Sequence, residues 1–215
     1  MMKPEDKERH KDLIQDESLL SPKELRKRKK EEKRATNPKL YNALEWVIII
    51  VLALVIALFI NFVIIINSTV PTGSMENTIM PGSRMIGLRV SYWFSDPDRG
   101  DIVVFKYPDD PSQVFVKRVI GLPGETVEVI DGVTYIDGEE LDEPYINPDY
   151  YVTRNMDSED YGPYTVPEGS YFVMGDNRGN SKDARYWTNT YVRKKAILGK
   201  ALFVYWPFSR IGKLN

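Results

Sequence analysis

Apolar residues fall along this chain in two different patterns. Between Trp46 and Ile66 they are nearly continuous, WVIIIVLALVIALFINFVIII, broken only by Asn61. About 21 residues at 1.5 Å rise cover roughly 30 Å, the thickness of a bilayer's hydrocarbon core. The run predicts one transmembrane helix over 43–66. From Val70 onward the apolar runs are short: MIGLRV, DIVVFKY, VFVKRVIGL, ETVEVI, VTYI, GSYFVMG and KALFVYW. They are rich in Val, Ile, Phe and Tyr and are separated by Gly, Pro and Asp, which predicts strands. Asp131-Gly132 and Asp137-Gly138 mark hairpin turns. No amphipathic helices alternate with the strands, so a parallel α/β sheet is disfavoured. The expected fold is a mainly antiparallel β domain over 67–215, barrel-like or a coiled sheet. Residues 125–166, acidic and rich in Asp, Tyr and Pro, read as a small hairpin-and-loop insertion.

Residues 1–42 are charged and poor in aromatics. Ser21-Pro22-Lys23-Glu24 reads as a helix start, with Ser at the N-cap, Pro at the first helical position and Glu three residues after the cap. The run after it, KELRKRKKEEKR, is polar on every face and predicts a solvated helix or a disordered segment, not part of a core. The formal net charge is only -2, so the total gives no case for a nucleic-acid partner. The distribution changes the picture. Residues 1–45 hold 13 basic against 10 acidic residues, and the basic excess concentrates between Lys23 and Lys39. Basic residues just before an apolar span predict a cytoplasmic N-terminus, with Asn67 onward outside.

The chain has no cysteine and one histidine, His10. The predicted span separates His10 from everything after residue 66, so a Ser–His–Asp triad in the β domain is excluded, as is a thiol nucleophile. Without clustered His or Cys no zinc site is expected. The calcium-loop spacing is missing too, so neither metal nor cofactor is expected. Three blocks remain. In VPTGSMENTIMPG, 70–82, a serine after a glycine can present its hydroxyl and its backbone N–H on one side, although a plain turn explains the tripeptide as well. In VFVKRVIGLPGE, 114–125, strand alternation sends Phe115 and Lys117 one way, Val116 and Arg118 the other. Lys117 is then either an edge lysine guarding against aggregation or a buried amine. Burial lowers a lysine's pKa, and a neutral amine can take a serine's proton. MGDNRGNSKDAR, 174–185, suits either a polar support network or an acidic surface loop.

Taken in order behind an N-terminal span, these blocks resemble type I signal (leader) peptidase, the membrane-bound serine endopeptidase that removes signal peptides from exported proteins. The resemblance covers about residues 43–210, and RGDIVVFKYP, 99–108, matches a further block of that family. It implies the family's mostly antiparallel β fold, with Ser74 as nucleophile and Lys117 as general base. Thr72 and the Ser74 N–H would hold the oxyanion, and Ser181 would orient the lysine amine. Asp176 would pair with Arg118 and Asp183 with Arg185 as support. Val70, Met75 and Val116 would line the pocket for the small residue before the cut. Asn77 stands where the family commonly has proline. Lysine at 117 is similar to the bacterial type, which implies a bacterial plasma membrane. The stretch between the lysine and GDNR blocks is short beside larger members and implies a reduced second subdomain.

The expected partners are signal-peptide-bearing preproteins and the lipid bilayer, with no nucleic acid and no metal. Ser74 lies eight residues after Ile66, so an extended chain holds it within about 29 Å of the end of the span. That is where signal peptides present their cleavage sites. Tyr205-Trp206-Pro207-Phe208 reads as core packing, with an interfacial anchor as the alternative. A self-cleaving repressor-like peptidase shares the chemistry, but it needs a nucleic-acid-binding domain and the span argues against it. A non-enzymatic membrane-anchored β domain is the other alternative.

Overall fold

A computed structural model describes residues 21–146 and 160–214. Residues 1–20 of the expected tail and 147–159 of the expected insertion lie outside the described residues. The chain divides into two units, 1–57 and 58–215.

In the first unit, α1 spans Pro22–Thr36. Its start is the capping box expected from the sequence. The Glu24 N–H donates to Ser21 Oγ (3.4 Å), and the Ser21 N–H donates to Glu24 Oε2 (2.9 Å). α2 follows at Pro38–Phe59. Helix continues through a π-type turn, Ile60–Ile64, so the whole stretch Pro38–Ile64 is 27 residues long. It is long and apolar enough to cross a membrane.

The expected span boundary shifts here. Ile65 and Ile66, the last two residues of the apolar run, open strand β1 (Ile65–Val70), and Ile66 is buried in the β domain. Apolarity alone does not separate a lipid-facing residue from a core residue.

The second unit is built on two antiparallel sheets. The strands are β1, β2 (Ser83–Leu88), β3 (Ile102–Lys106), β4 (Val114–Gly121), β5 (Thr126–Ile130), β6 (Val133–Ile136), β7 (Glu139–Glu140), β8 (Tyr161–Thr165), β9 (Ser170–Met174), β10 (Val192–Arg193), β11 (Ile197–Trp206) and β12 (Gly212–Lys213). The larger sheet runs β1-β2-β11-β3-β4-β9-β10, with β12 paired to β11. The smaller runs β7-β6-β5-β8. All seven apolar runs became strands. The stretch expected as hairpin and loop is a four-stranded sheet. Asp131 (φ 50°) with Gly132 (φ 82°), and Asp137 (φ 51°) with Gly138 (φ 83°), form its two tight turns. Their left-handed torsions match a two-residue hairpin.

DIVVFKY is unbroken because β3 is covered on both faces. Ile102 and Val104 pack in one cluster with Val70, Met75, Ile79 and Met85. Val103 and Phe105 pack in the other with Val119, Phe172 and Trp187. β3 therefore holds β4 from inside, and β4 carries Lys117 opposite Val103.

β2 and β11 approach closely at Gly87, where an added Cβ would stand 2.6 Å from the Lys200 carbonyl oxygen. Gly87→Ala should therefore lower stability by about 1–3 kcal/mol, the usual cost of overpacking. The check is thermal unfolding of the full chain in detergent. An unchanged midpoint would show that the two strands yield freely.

Candidate active site

Ser74 sits in a single 3-10 turn, Gly73–Met75, four residues beyond the end of β1. Thr72, just before the turn, is extended. Lys117 reaches the turn from β4, 43 residues further along, and its Nζ lies 2.5 Å from Ser74 Oγ. Both are buried, at 7% and 4% exposure. Thr72 Oγ1 is 3.5 Å from Ser74 Oγ. The Ser74 N–H has no hydrogen-bond partner among the described residues.

Burial pushes the Lys117 amine down to about 8. The negative charges of Asp183 and Asp176 act the other way, and Arg185 reinforces the fall. Burial outweighs the two carboxylates, each of which is bound to its own arginine. Arg118 Nε and Nη2 donate to Asp176 Oδ1 and Oδ2 at 2.9 and 2.7 Å. Arg185 Nε and Nη2 donate to Asp183 Oδ1 and Oδ2 at 2.8 and 3.0 Å. Burial alone would raise the Asp183 carboxyl. The Arg185 guanidinium and the Gly175 N–H hold it below the usual carboxylate range instead. Lys117 forms no ion pair among the described residues.

The GDNR loop grips the serine turn directly. The Asn177 N–H donates to the Ser74 carbonyl (3.1 Å), and Asn177 Nδ2 donates to the Gly73 carbonyl (3.0 Å) and Glu76 Oε2 (2.8 Å). Thr78 Oγ1 donates to Asp176 Oδ2 (2.5 Å). A Cβ on Gly175 would meet both the Ser74 carbonyl and Ser181 Oγ at 2.3 Å, so only glycine fits between them.

Arg178 carries the grip to the smaller sheet. It donates to Thr134 Oγ1 (2.9 Å) and Glu143 Oε2 (2.8 Å). The Tyr145 ring lies 3.9 Å from the Arg118 guanidinium carbon. Sequence reasoning gave Thr78, Asn177 and Arg178 no individual role, although all three lie in the quoted blocks. Glu143 and Tyr145 carried no signal, because their partners are far along the chain.

Ser74, Lys117, Thr72 and both arginine–aspartate pairs are thus brought together as expected. Ser181 is buried beside them, but no hydrogen bond joins its Oγ to the lysine amine among the described residues; its hydroxyl helps hold the Asp183 carboxyl down instead. Val70 and Met75 share one apolar cluster, and Val116 packs against it. Asn77 has φ 77°, in the left-handed region that asparagine tolerates and proline, held near −65°, cannot enter. The serine turn therefore has a shape that excludes the residue common at this position. Core packing fails for two residues of the aromatic patch, since Trp206 and Phe208 are 44% and 73% exposed.

A buried amine thus lies against a buried serine hydroxyl on an antiparallel β domain that follows a long apolar helix in the chain. Residues 43–206 match the family described as signal peptidase, peptidase S26. The chain is 41% identical to a probable signal peptidase I-1 of a Synechocystis species, covering 78% of this chain and 84% of that one. It is 41% identical to signal peptidase I S of Bacillus subtilis, over 80% and 94%. It is 38% identical to signal peptidase I of Bacillus licheniformis, over 86% and 99%. The chain belongs to the signal peptidase family, whose members are serine endopeptidases.

Arg118 and Asp176 are buried together, so removing either one strands the other's charge. Asp176→Ala should cost about 3–5 kcal/mol. Denaturant unfolding would check this. A loss below about 1 kcal/mol would match an exposed pair instead.

Proposed function

We propose that this enzyme cleaves N-terminal signal peptides from exported preproteins, using Ser74 as nucleophile and Lys117 as general base. The observation that carries the proposal is the 2.5 Å approach of a buried lysine amine to a buried serine hydroxyl. Neutral Lys117 accepts the Ser74 proton as Oγ attacks the scissile carbonyl. The Ser74 N–H and the Thr72 hydroxyl stabilise the oxyanion. Lys117 then protonates the leaving amine, and an acyl-enzyme on Ser74 remains. Water attacks the ester, Lys117 takes its proton, and the serine is restored as the signal peptide leaves.

The substrate reading has separate support. β1 is an end strand of the larger sheet and runs to within four residues of Ser74, so an extended peptide can add to its edge. Val70 and Met75 cluster beside the nucleophile with Val116 packed against them, and an apolar surface of this kind suits the small side chains of Ala-x-Ala-like sequences. Met75 is fully buried and serves as floor, not wall.

The membrane reading rests on the 27-residue helix and the basic residues ahead of it. A single-pass chain with a cytoplasmic tail of 1–42 puts the catalytic domain on the outer face of a bacterial plasma membrane. The turn Arg89–Tyr92 touches Ile60–Ile64, and Phe94 just beyond it is 96% exposed. An aromatic there fits the lipid interface.

Lys117→Met keeps the bulk and removes the base. Turnover of a preprotein in detergent should fall by a factor on the order of 10²–10⁴ or more, while thermal stability is kept. Mapping the new N-terminus made by the wild type should place the cut after a small residue. Full cleavage by Lys117→Met would refute the Ser/Lys pair and leave a non-enzymatic β domain or another base.

A further inference from the structure

The helix ahead of the span has a feature that the catalytic reading does not use. At 3.6 residues per turn, Lys29, Arg26, Lys30, Lys23 and Lys27 of α1 fall within an arc of about 160°. All five are exposed. Glu24 and Glu31 lie together on the other side, with Arg28 next to them. Setting membrane topology needs only the number of positive charges near the span. It does not need them on one face.

That placement sets like charges side by side along one face of the helix. Lys23 with Lys27 and Arg26 with Lys30 are like charges at i,i+4, and Lys23 with Arg26, Arg26 with Lys29 and Lys27 with Lys30 are like charges at i,i+3. Both spacings destabilise an isolated helix. An anionic surface along that face turns the repulsion into attraction. The nearest such surface is the bilayer itself. Only Asn37 separates α1 from α2. Pro38 to Trp46 covers only about 12 Å of helix, so the end of α1 reaches the headgroup zone within about a Debye length.

We infer that α1 docks its basic face on anionic phospholipid headgroups of the same bilayer that α2 crosses. Clustered lysines and arginines next to a span bind such lipids electrostatically. The inference rests on the reading that α2 crosses the membrane, but not on the chemistry at Ser74.

The chain has no cysteine, so a nitroxide on Lys30→Cys is a unique probe. The full chain is reconstituted in nanodiscs of phosphatidylcholine alone or of phosphatidylcholine with phosphatidylglycerol. Nanodiscs expose both leaflets, so the result does not depend on orientation. The spin label should be immobilised and shielded from a water-soluble paramagnet only in the phosphatidylglycerol discs. High salt should release it. The immobilised component should be lost when Lys23, Arg26, Lys27 and Lys29 become Gln, a good helix former. Identical spectra in the two lipids, or immobilisation that survives the four Gln substitutions, would overturn the inference. Preprotein cleavage measured in the same discs keeps the two readings apart. It should persist in the four-Gln variant, and its absence from every disc counts against the catalytic reading alone.

Discussion

A charge that is expensive to form is the constraint on which this site depends. Lys117 is held where water cannot solvate an ammonium, and the charges of Asp183 and Asp176 offset only part of that cost. The move from 10.5 to about 8 means the site favours amine over ammonium by about 3 kcal/mol relative to water. At pH 7 about one Lys117 in ten is then uncharged, against about one in several thousand for a free lysine. The serine turn contributes the other half. It brings Oγ within bonding reach of that amine without placing a carboxylate beside it.

Two aspartates near the lysine would undo this if they were left alone. Each is held instead by its own guanidinium, Asp176 by Arg118 and Asp183 by Arg185. Their negative charge still pulls the amine toward its protonated form, but less strongly than burial pushes the other way. The same groups tie the site to the fold. Arg118 neighbours Lys117 on β4, Asp176 opens the loop that grips the serine turn, and Arg178 links that loop to Thr134 and Glu143 by the smaller sheet. Four segments far apart in sequence therefore converge on one turn. Buried pairs of this kind seldom add much stability over apolar packing, but they punish the loss of either partner.

Much of this was legible in the sequence, for physical reasons that differ by element. The seven β-branched and aromatic runs were readable because strands buried on one or both faces must be apolar. The Asp-Gly turns were readable because few residues accept left-handed torsions. The Ser74–Lys117 pairing was readable only through elimination of histidine and cysteine together with the family resemblance, since 43 residues separate the two. The two-residue strands β7, β10 and β12 were hidden, being too short for any period to show. β8, which reads YGPYT, was hidden by its own Gly and Pro. Glu143 and Tyr145 were hidden because only the folded chain brings them to Arg178 and Arg118. The end of the span was misplaced because Ile65 and Ile66 are equally suited to lipid and to core.

The state of one nitrogen decides the account. The direct measurement is an NMR titration of Lys117 in the full-length protein, with its side chain carbon-labelled and its resonance assigned by loss in Lys117→Met. The expected midpoint is near 8, so that the amine loses its proton as pH rises through that value. A midpoint near about 10.4, that of a lysine in water, would mean the amine is charged when Ser74 must react, and the pair could not act as nucleophile and base.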